Sequence, residues 1–306
     1  MTNMKKILFF AAVLVVASSC VDDGFDLSQV DADEIAIGSS ESKFKIPLAN
    51  IAVKKDAIRG EDGSLEGMMN DADLLIPKSF GKLDLQNVPA DELVAGLFDD
   101  LRKDVDRGRE VGRFLAESKY RNEVVAALPA NLRGLDLAEV FSGHINDLYA
   151  RQELRDKMKE IIVKTVGSIN DSMPAVHVEM DGFGVDEDIV NMLTGTGEIR
   201  LYGTVTEIMP FDGKAFLVLK KNDRSGDTIA RLELPLDYTD PSQDFGVVID
   251  NAALRAMTGR MEMQVSLDLS TYYPRKSLAE TDGTVMRIAL KLEKQGGLII
   301  SDKNEN

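Results

Sequence analysis

The apolar residues of this chain change their spacing near Pro174, from the 3.6-residue period of a helix to the two-residue period of a strand, and no other feature limits the fold as much. Before the switch, Val94, Phe98, Leu101 and Val105 recur at i, i+4, i+7 and i+11, the stripe of an amphipathic helix that begins near Pro89. Asp99 and Lys103, four apart, are expected to pair on its outer face. A second helix is expected over Lys119 to Leu128, stopped by Pro129. A third opens on the capping-box pattern Asp136-Leu137-Ala138-Glu139 and carries Leu154, Met158, Ile161 and Thr165 on one face. After the switch, His177-Val178-Glu179-Met180, Glu198-Ile199-Arg200-Leu201-Tyr202, Arg231-Leu232-Glu233-Leu234 and Glu262-Met263-Gln264-Val265-Ser266-Leu267 alternate polar with apolar. That pattern belongs to antiparallel strands with one wet face. Asn222-Asp223-Arg224-Ser225-Gly226-Asp227 reads as a hairpin loop between two of them. The expectation is an α+β fold: a C-terminal antiparallel β-sheet or sandwich preceded by a helical segment.

A fold of this size has to be held by its core, because the chain of 306 residues contains one cysteine and can form no intrachain disulfide. That cysteine, Cys20, stands in an informative place. Lys5 and Lys6 precede the apolar run Ile7 to Ala17, which ends in the small residues Ser18 and Ser19. Charged, apolar and small-residue regions in this order make a signal peptide, and the run falls well short of the roughly 20 residues that span a bilayer. The segment Ala17-Ser18-Ser19-Cys20 resembles the lipobox of bacterial lipoproteins, with Ala17 where Leu is commoner. The resemblance implies that Cys20 becomes the lipidated first residue of the mature protein. The competing reading is an ordinary secretory signal with a chance cysteine.

The polar, turn-rich stretch Val21-Asp22-Asp23-Gly24-Phe25-Asp26 then reads as a tether. Acidic residues directly after the cysteine resemble the surface-export signal of Bacteroidota lipoproteins; a merely solvated acidic linker is the alternative. Asp26-Leu27-Ser28-Gln29-Val30-Asp31 with Phe44-Lys45-Ile46-Pro47-Leu48 resembles the opening of surface lipoproteins from that phylum. The likeness covers about the first 55 residues and brings no catalytic residue with it. It implies an outer-membrane protein, held by lipid and facing the cell surface.

The organisation expected from these readings is a signal peptide over residues 1–19, a lipidated tether over 20–41, short strands and loops over 42–87, a helical segment over 88–171 and an antiparallel β domain over 172–302. Within the last part, Thr194, Gly195 and Pro210 are echoed by Thr258, Gly259 and Pro274 at one offset of 64, and Phe183-Gly184-Val185 by Phe245-Gly246-Val247 at 62. An internal repeat predicts two units with the same strand order. Reuse of common turn residues is the alternative.

Removing residues 1–19 takes away two lysines and no acid, so the formal charge moves from −16 to −18. A surface of that sign repels phosphate backbones and anionic headgroups, so no nucleic-acid partner is expected. The membrane partner is expected to be reached through the lipid on Cys20 alone.

Residues suited to catalysis are sparse. His177 and Glu179 stand two apart on one strand face, but a third metal ligand at suitable spacing is not visible, and a solvated strand face accounts for them. His144, beside Phe141 and Leu148, reads as a hydrogen-bonded histidine at a helix boundary. Asp186-Glu187-Asp188 reads as a helix cap and acidic first turn, since the alternating ligands of a calcium loop are missing. Tyr272-Tyr273-Pro274 is the best candidate for an aromatic platform, against a pair that closes a turn onto the core. With no phosphate loop, nucleophile elbow or second cysteine, no catalytic residue, metal site or cofactor is expected. The role anticipated is non-enzymatic binding, with an extracellular polymer hydrolase and a carrier of apolar ligands as alternatives.

Overall fold

The computed structural model describes residues 34–37, 42–55, 59–60, 63–171, 176–180, 185–194, 197–207, 209–221, 225–259, 261–278 and 283–301. The fold is α+β, with helices and two antiparallel sheets, and its C-terminal part is mainly strands. The strands are β1 (Glu34–Ile37), β2 (Lys43–Lys54), β3 (Arg59–Gly60), β4 (Gly63–Ser64), β5 (Leu83–Asp84), β6 (Val176–Met180), β7 (Ile199–Glu207), β8 (Phe211–Lys221), β9 (Thr228–Leu236), β10 (Ser242–Ile249), β11 (Met261–Tyr272), β12 (Thr284–Gln295) and β13 (Leu298–Ser301). The first sheet runs β10-β7-β12-β2 and the second β5-β11-β8-β9, with β6 on the same side of β11 as β5. β1 pairs with β13, and β3 with β4.

Seven helices lie between β4 and β6: α1 (Leu65–Leu75), α2 (Ala90–Lys103), α3 (Val105–Glu117), α4 (Arg121–Ala127), α5 (Leu137–Gly143), α6 (Ile145–Tyr149) and α7 (Gln152–Asp171). The stripe expected on α2 is buried at Val94, Phe98 and Leu101, but Val105 is about half exposed. Asp104 explains the difference: it adopts an extended backbone and its side chain accepts a hydrogen bond from the Arg107 amide. One residue thereby ends α2 and N-caps α3. Asp99 contacts Arg102 rather than Lys103, because that guanidinium also donates to Asn146 Oδ1 at 3.0 Å and is held there. Asp136 caps α5 by accepting from the Ala138 amide at 2.8 Å. The single third helix that was expected is three, broken at His144 and Arg151. Leu154, Met158, Ile161 and Thr165 are buried on the last of them.

Residues 65–75, expected among short strands and loops, form α1 instead. Leu65, Met68, Met69, Ala72 and Leu75 are all buried and fall on one helical face. Gly67, Asn70, Asp71 and Asp73 are weak helix formers that hide this stripe in the sequence, and burial of five apolar side chains outweighs them.

The two sheets obey a hidden exchange. Two further helices, α8 (Glu187–Leu193) and α9 (Asn251–Ala256), separate β6 from β7 and β10 from β11. Exchanging β2 with β9, β6 with β10, β7 with β11 and β8 with β12 turns the pairings of the first sheet into those of the second. Leaving β5 aside, each half of the chain therefore supplies two strands to each sheet. At the offset of 64, Asp186 and Asp250 both N-cap their helices. Val190 and Leu254, Leu193 and Met257, Leu201 and Val265, and Val205 and Leu269 are buried equivalents. The strand order thus matches the expected repeat. Of the echo at 62, Phe245-Gly246-Val247 lies within β10, and residues 183–184 fall outside the described residues. In these terms the helical block sits between β2 and β6 of the first half, where the second half has only residues 237–241 between β9 and β10.

Gly108 and Gly112, one turn apart on α3, let the backbone of α5 approach closely. A Cβ at Gly108 would lie 2.5 Å from the Phe141 carbonyl oxygen, and one at Gly112 would lie 2.6 Å from the Ala138 Cα. Backbone cannot rotate away as a side chain can. Gly112→Ala is expected to lower stability by about 1–3 kcal/mol despite the better helix propensity of alanine, read as a reduced urea midpoint.

Candidate functional site

The helical block is fastened to the second sheet by a buried polar cluster. Helix α1 has no basic residue in its last turn, so its terminal carbonyls look elsewhere for donors. Arg107 of α3 reaches them: its Nη2 lies 2.7 Å from the Ile76 oxygen, 3.2 Å from that of Leu74 and 3.3 Å from that of Asp73, and its Nη1 lies 3.5 Å from Asp100. Arg275, in the left-handed backbone region after β11, donates to the Ile76 carbonyl at 3.1 Å. Asp73 accepts from the Tyr272 hydroxyl and from the Arg275 amide, both at 2.8 Å. Burial raises the Asp73 pKa, with those two bonds opposing it, and burial lowers that of Arg107. These hydrogen bonds tie α1 and α3 to the end of β11, so the cluster is a joint between elements.

The open site lies on the outer face of the first sheet, where β2, β12, β7 and β10 line a concave region of about 710 Å³. Strand register sets its layout. One row across the sheet reads Lys45, Glu293, Arg200, Val248; the next centres on Lys291, Tyr202 and Gly246; a third places Thr204 beside Asp244. The Lys45 ammonium is 3.5 Å from the Glu293 carboxylate and 5.5 Å from the centre of the Tyr202 ring. Thr204 donates to Asp244 at 2.8 Å, and Arg200 approaches Glu198, just beyond the strand end, at 3.5 Å. Among the described residues, Lys291 has no hydrogen-bond or ion-pair partner. Gly246 shapes the floor: a Cβ there would lie 3.3 Å from the Tyr202 Cβ and 3.5 Å from Arg200 Nη2. Its absence leaves a slot beside the tyrosine.

None of the residues weighed in the sequence as lipidation, metal, catalytic or aromatic-platform candidates lines this slot. Cys20 lies outside the described residues. His177 and Glu179 stand on β6, in register with Gln264 and Glu262 of the second sheet. No group of three or more His, Cys, Asp or Glu able to hold a metal occurs among the described residues. His144 sits at the α5–α6 boundary, its Nδ1 3.7 Å from Asp147, and its backbone continues both helices. Asp186 is the helix cap expected. The Tyr272-Tyr273 pair divides: Tyr272 is fully buried against Phe211 at a ring separation of 5.1 Å, whereas Tyr273 packs on Tyr238 at 4.8 Å. The Tyr273 hydroxyl donates to Asp212 at 2.7 Å, and that hydrogen bond to a carboxylate, with some burial, pushes its pKa up to about 12. Alternation in the sequence did place Arg200 and Tyr202 on one wet face, but nothing local shows that β12 and β2 bring Lys291 and Lys45 beside them.

No protein-family model matches this chain, and no curated protein does. Among solved structures it is similar to a crystal structure from Parabacteroides distasonis described as a secreted protein, at 22% identity and a TM-score of 0.29. The similarity covers 40% of this chain and spans 38% of the length of that protein.

Proposed function

We propose that this chain is a surface lipoprotein of a bacterial outer membrane, anchored through lipid on Cys20, that acts by binding a ligand on the outer face of the β10-β7-β12-β2 sheet. The observation that carries the binding role is the slot itself: an aromatic ring, a glycine and a lysine without a partner side by side, open to solvent. No helix among the described residues is long and apolar enough to cross a membrane.

The slot does contain two carboxylates, Asp244 and Glu293, as a polymer hydrolase would require. Register separates them by two strands and four residues, roughly 16 Å at ~4.8 Å per strand and ~3.4 Å per residue. Paired acids of glycosidases stand only about 5–9.5 Å apart. Each is also committed, Asp244 to the Thr204 hydroxyl and Glu293 to Lys45. The mixed polar lining equally disfavours a carrier of apolar ligands, which needs an enclosed apolar cavity. A broad screen of glycan, peptide and ester hydrolysis is expected to give no turnover that depends on either acid. Reproducible activity abolished by Asp244→Asn or Glu293→Gln would overturn the binding role.

A further inference from the structure

The chain as a whole carries 52 acids against 36 basic residues, yet the outward positions of the first sheet reverse that balance. Lys43 and Lys45 on β2, Arg200 on β7, and Arg287 and Lys291 on β12 face outward, against the acids Asp244 and Glu293 on the same face among the side chains described. Fields in physiological salt decay over about 8 Å, so a ligand on this face senses these groups more than the distant acids.

We propose that this face binds an acidic polysaccharide, a uronate-bearing chain lying across β12 and β7 with one sugar ring against Tyr202. The inference rests on the same face being the binding surface. Three features select the ligand. The cations are spread over three neighbouring strands, which suits repeated negative charges and not one small anion. Tyr202 beside the Gly246 slot offers a flat apolar surface for the C–H face of a sugar ring. Asp244, Glu293 and Thr204 sit among the cations and would accept or share hydrogen bonds with hydroxyls; toward a ligand that carried only negative charge, the two carboxylates would be repulsive.

Other anionic partners fit less well. A bilayer surface needs projecting basic and apolar side chains, whereas this region is concave and Val248 is its one exposed large hydrophobic residue among those described. An acidic peptide would meet the same carboxylates without hydroxyls to satisfy them.

The test uses the full-length lipoprotein in non-ionic detergent, titrated calorimetrically with oligogalacturonate. Binding is expected, and full methyl esterification of the oligomer, which keeps the rings and hydroxyls but removes the charge, should weaken it at least tenfold. Lys291→Glu, Tyr202→Ala and Gly246→Val should each weaken it at least tenfold, while Tyr202→Phe and the exposed helical variant Arg113→Glu stay within twofold. Polyglutamate and phosphatidylglycerol vesicles should bind at least tenfold more weakly than oligogalacturonate. Equal or tighter binding of either probe, sensitive to Lys291→Glu, would overturn the glycan assignment and leave the binding face standing. Failure of all these probes to bind, or binding indifferent to Lys291→Glu and Gly246→Val, would overturn the assignment and remove the face as the binding surface.

Discussion

Cys20→Ser is expected to abolish lipid attachment, because the thioether to diacylglycerol requires a sulfur and the chain has no other cysteine. Burial of acyl chains contributes about 0.8 kcal/mol per CH₂, so one chain holds a protein marginally and two or more hold it stably. The processed protein should therefore remain in the membrane fraction until detergent is added, and should incorporate labelled palmitate. In the serine variant the label should disappear. An uncleaved signal could still tether that variant, so a chain starting at Val21 behind an unrelated cleavable signal is the cleaner comparison. It is expected to be folded and fully extractable without detergent. Tight membrane association of that form would show that the folded part, and not the lipid, is the anchor.

Arg107→Ala should cause a large loss of stability. The guanidinium is 7% exposed and holds three carbonyl oxygens at the end of α1 together with Asp100. Removing it takes this donor from the Asp73 and Leu74 carbonyls and leaves the Ile76 carbonyl with Arg275 alone and the mostly shielded Asp100 carboxylate with the Lys78 amide but, among the described residues, no cation within ion-pair distance. Breaking a buried charged pair from one side costs about 3–5 kcal/mol, which for a chain of this size corresponds to a fall in Tm on the order of 10 °C. The Arg107 Nε has no partner among the described residues, so the site is not ideal and the gain from an engineered apolar replacement would be worth measuring. Arg107→Lys keeps the charge but cannot span the three carbonyls and should fall in between. Arg109→Ala, whose side chain is half exposed and pairs with an exposed Asp106, should change stability by less than about 0.5 kcal/mol. Equal stability of Arg107→Ala and Arg109→Ala would remove the joint from the account of how the helical block is held.

The arrangement also explains how an acidic protein comes to have a basic face. Net charge is a sum over the chain and is blind to placement. The total sets the expectation of repulsion at a distance, while the first sheet gathers five cations within one face. The duplication bears on the same point. By exchange, Phe216 of β8 takes the place of Lys291 and Ser266 of β11 that of Tyr202, so the two halves share a strand order but not the side chains of the slot.

Local signals were strong in this sequence wherever the physics is local. Period switching marked the helices and strands because the burial pattern repeats within a few residues, and Asp136 and Asp186 marked helix starts because capping is settled within one turn. The repeat was visible for the same reason, through turn and cap residues at one offset. What the sequence alone did not determine is long-range: that α1 forms despite Gly67 and Asn70, that Asp104 divides a continuous stripe, and that β2 crosses the whole helical block to pair with β12. Each was decided by contacts between residues far apart in the chain. The slot is the clearest case, since Lys45, Tyr202, Gly246 and Lys291 come from four strands and meet only through register. Register depends on how the buried faces of the strands fit into one core, and a shift of one residue would have turned every one of these side chains inward.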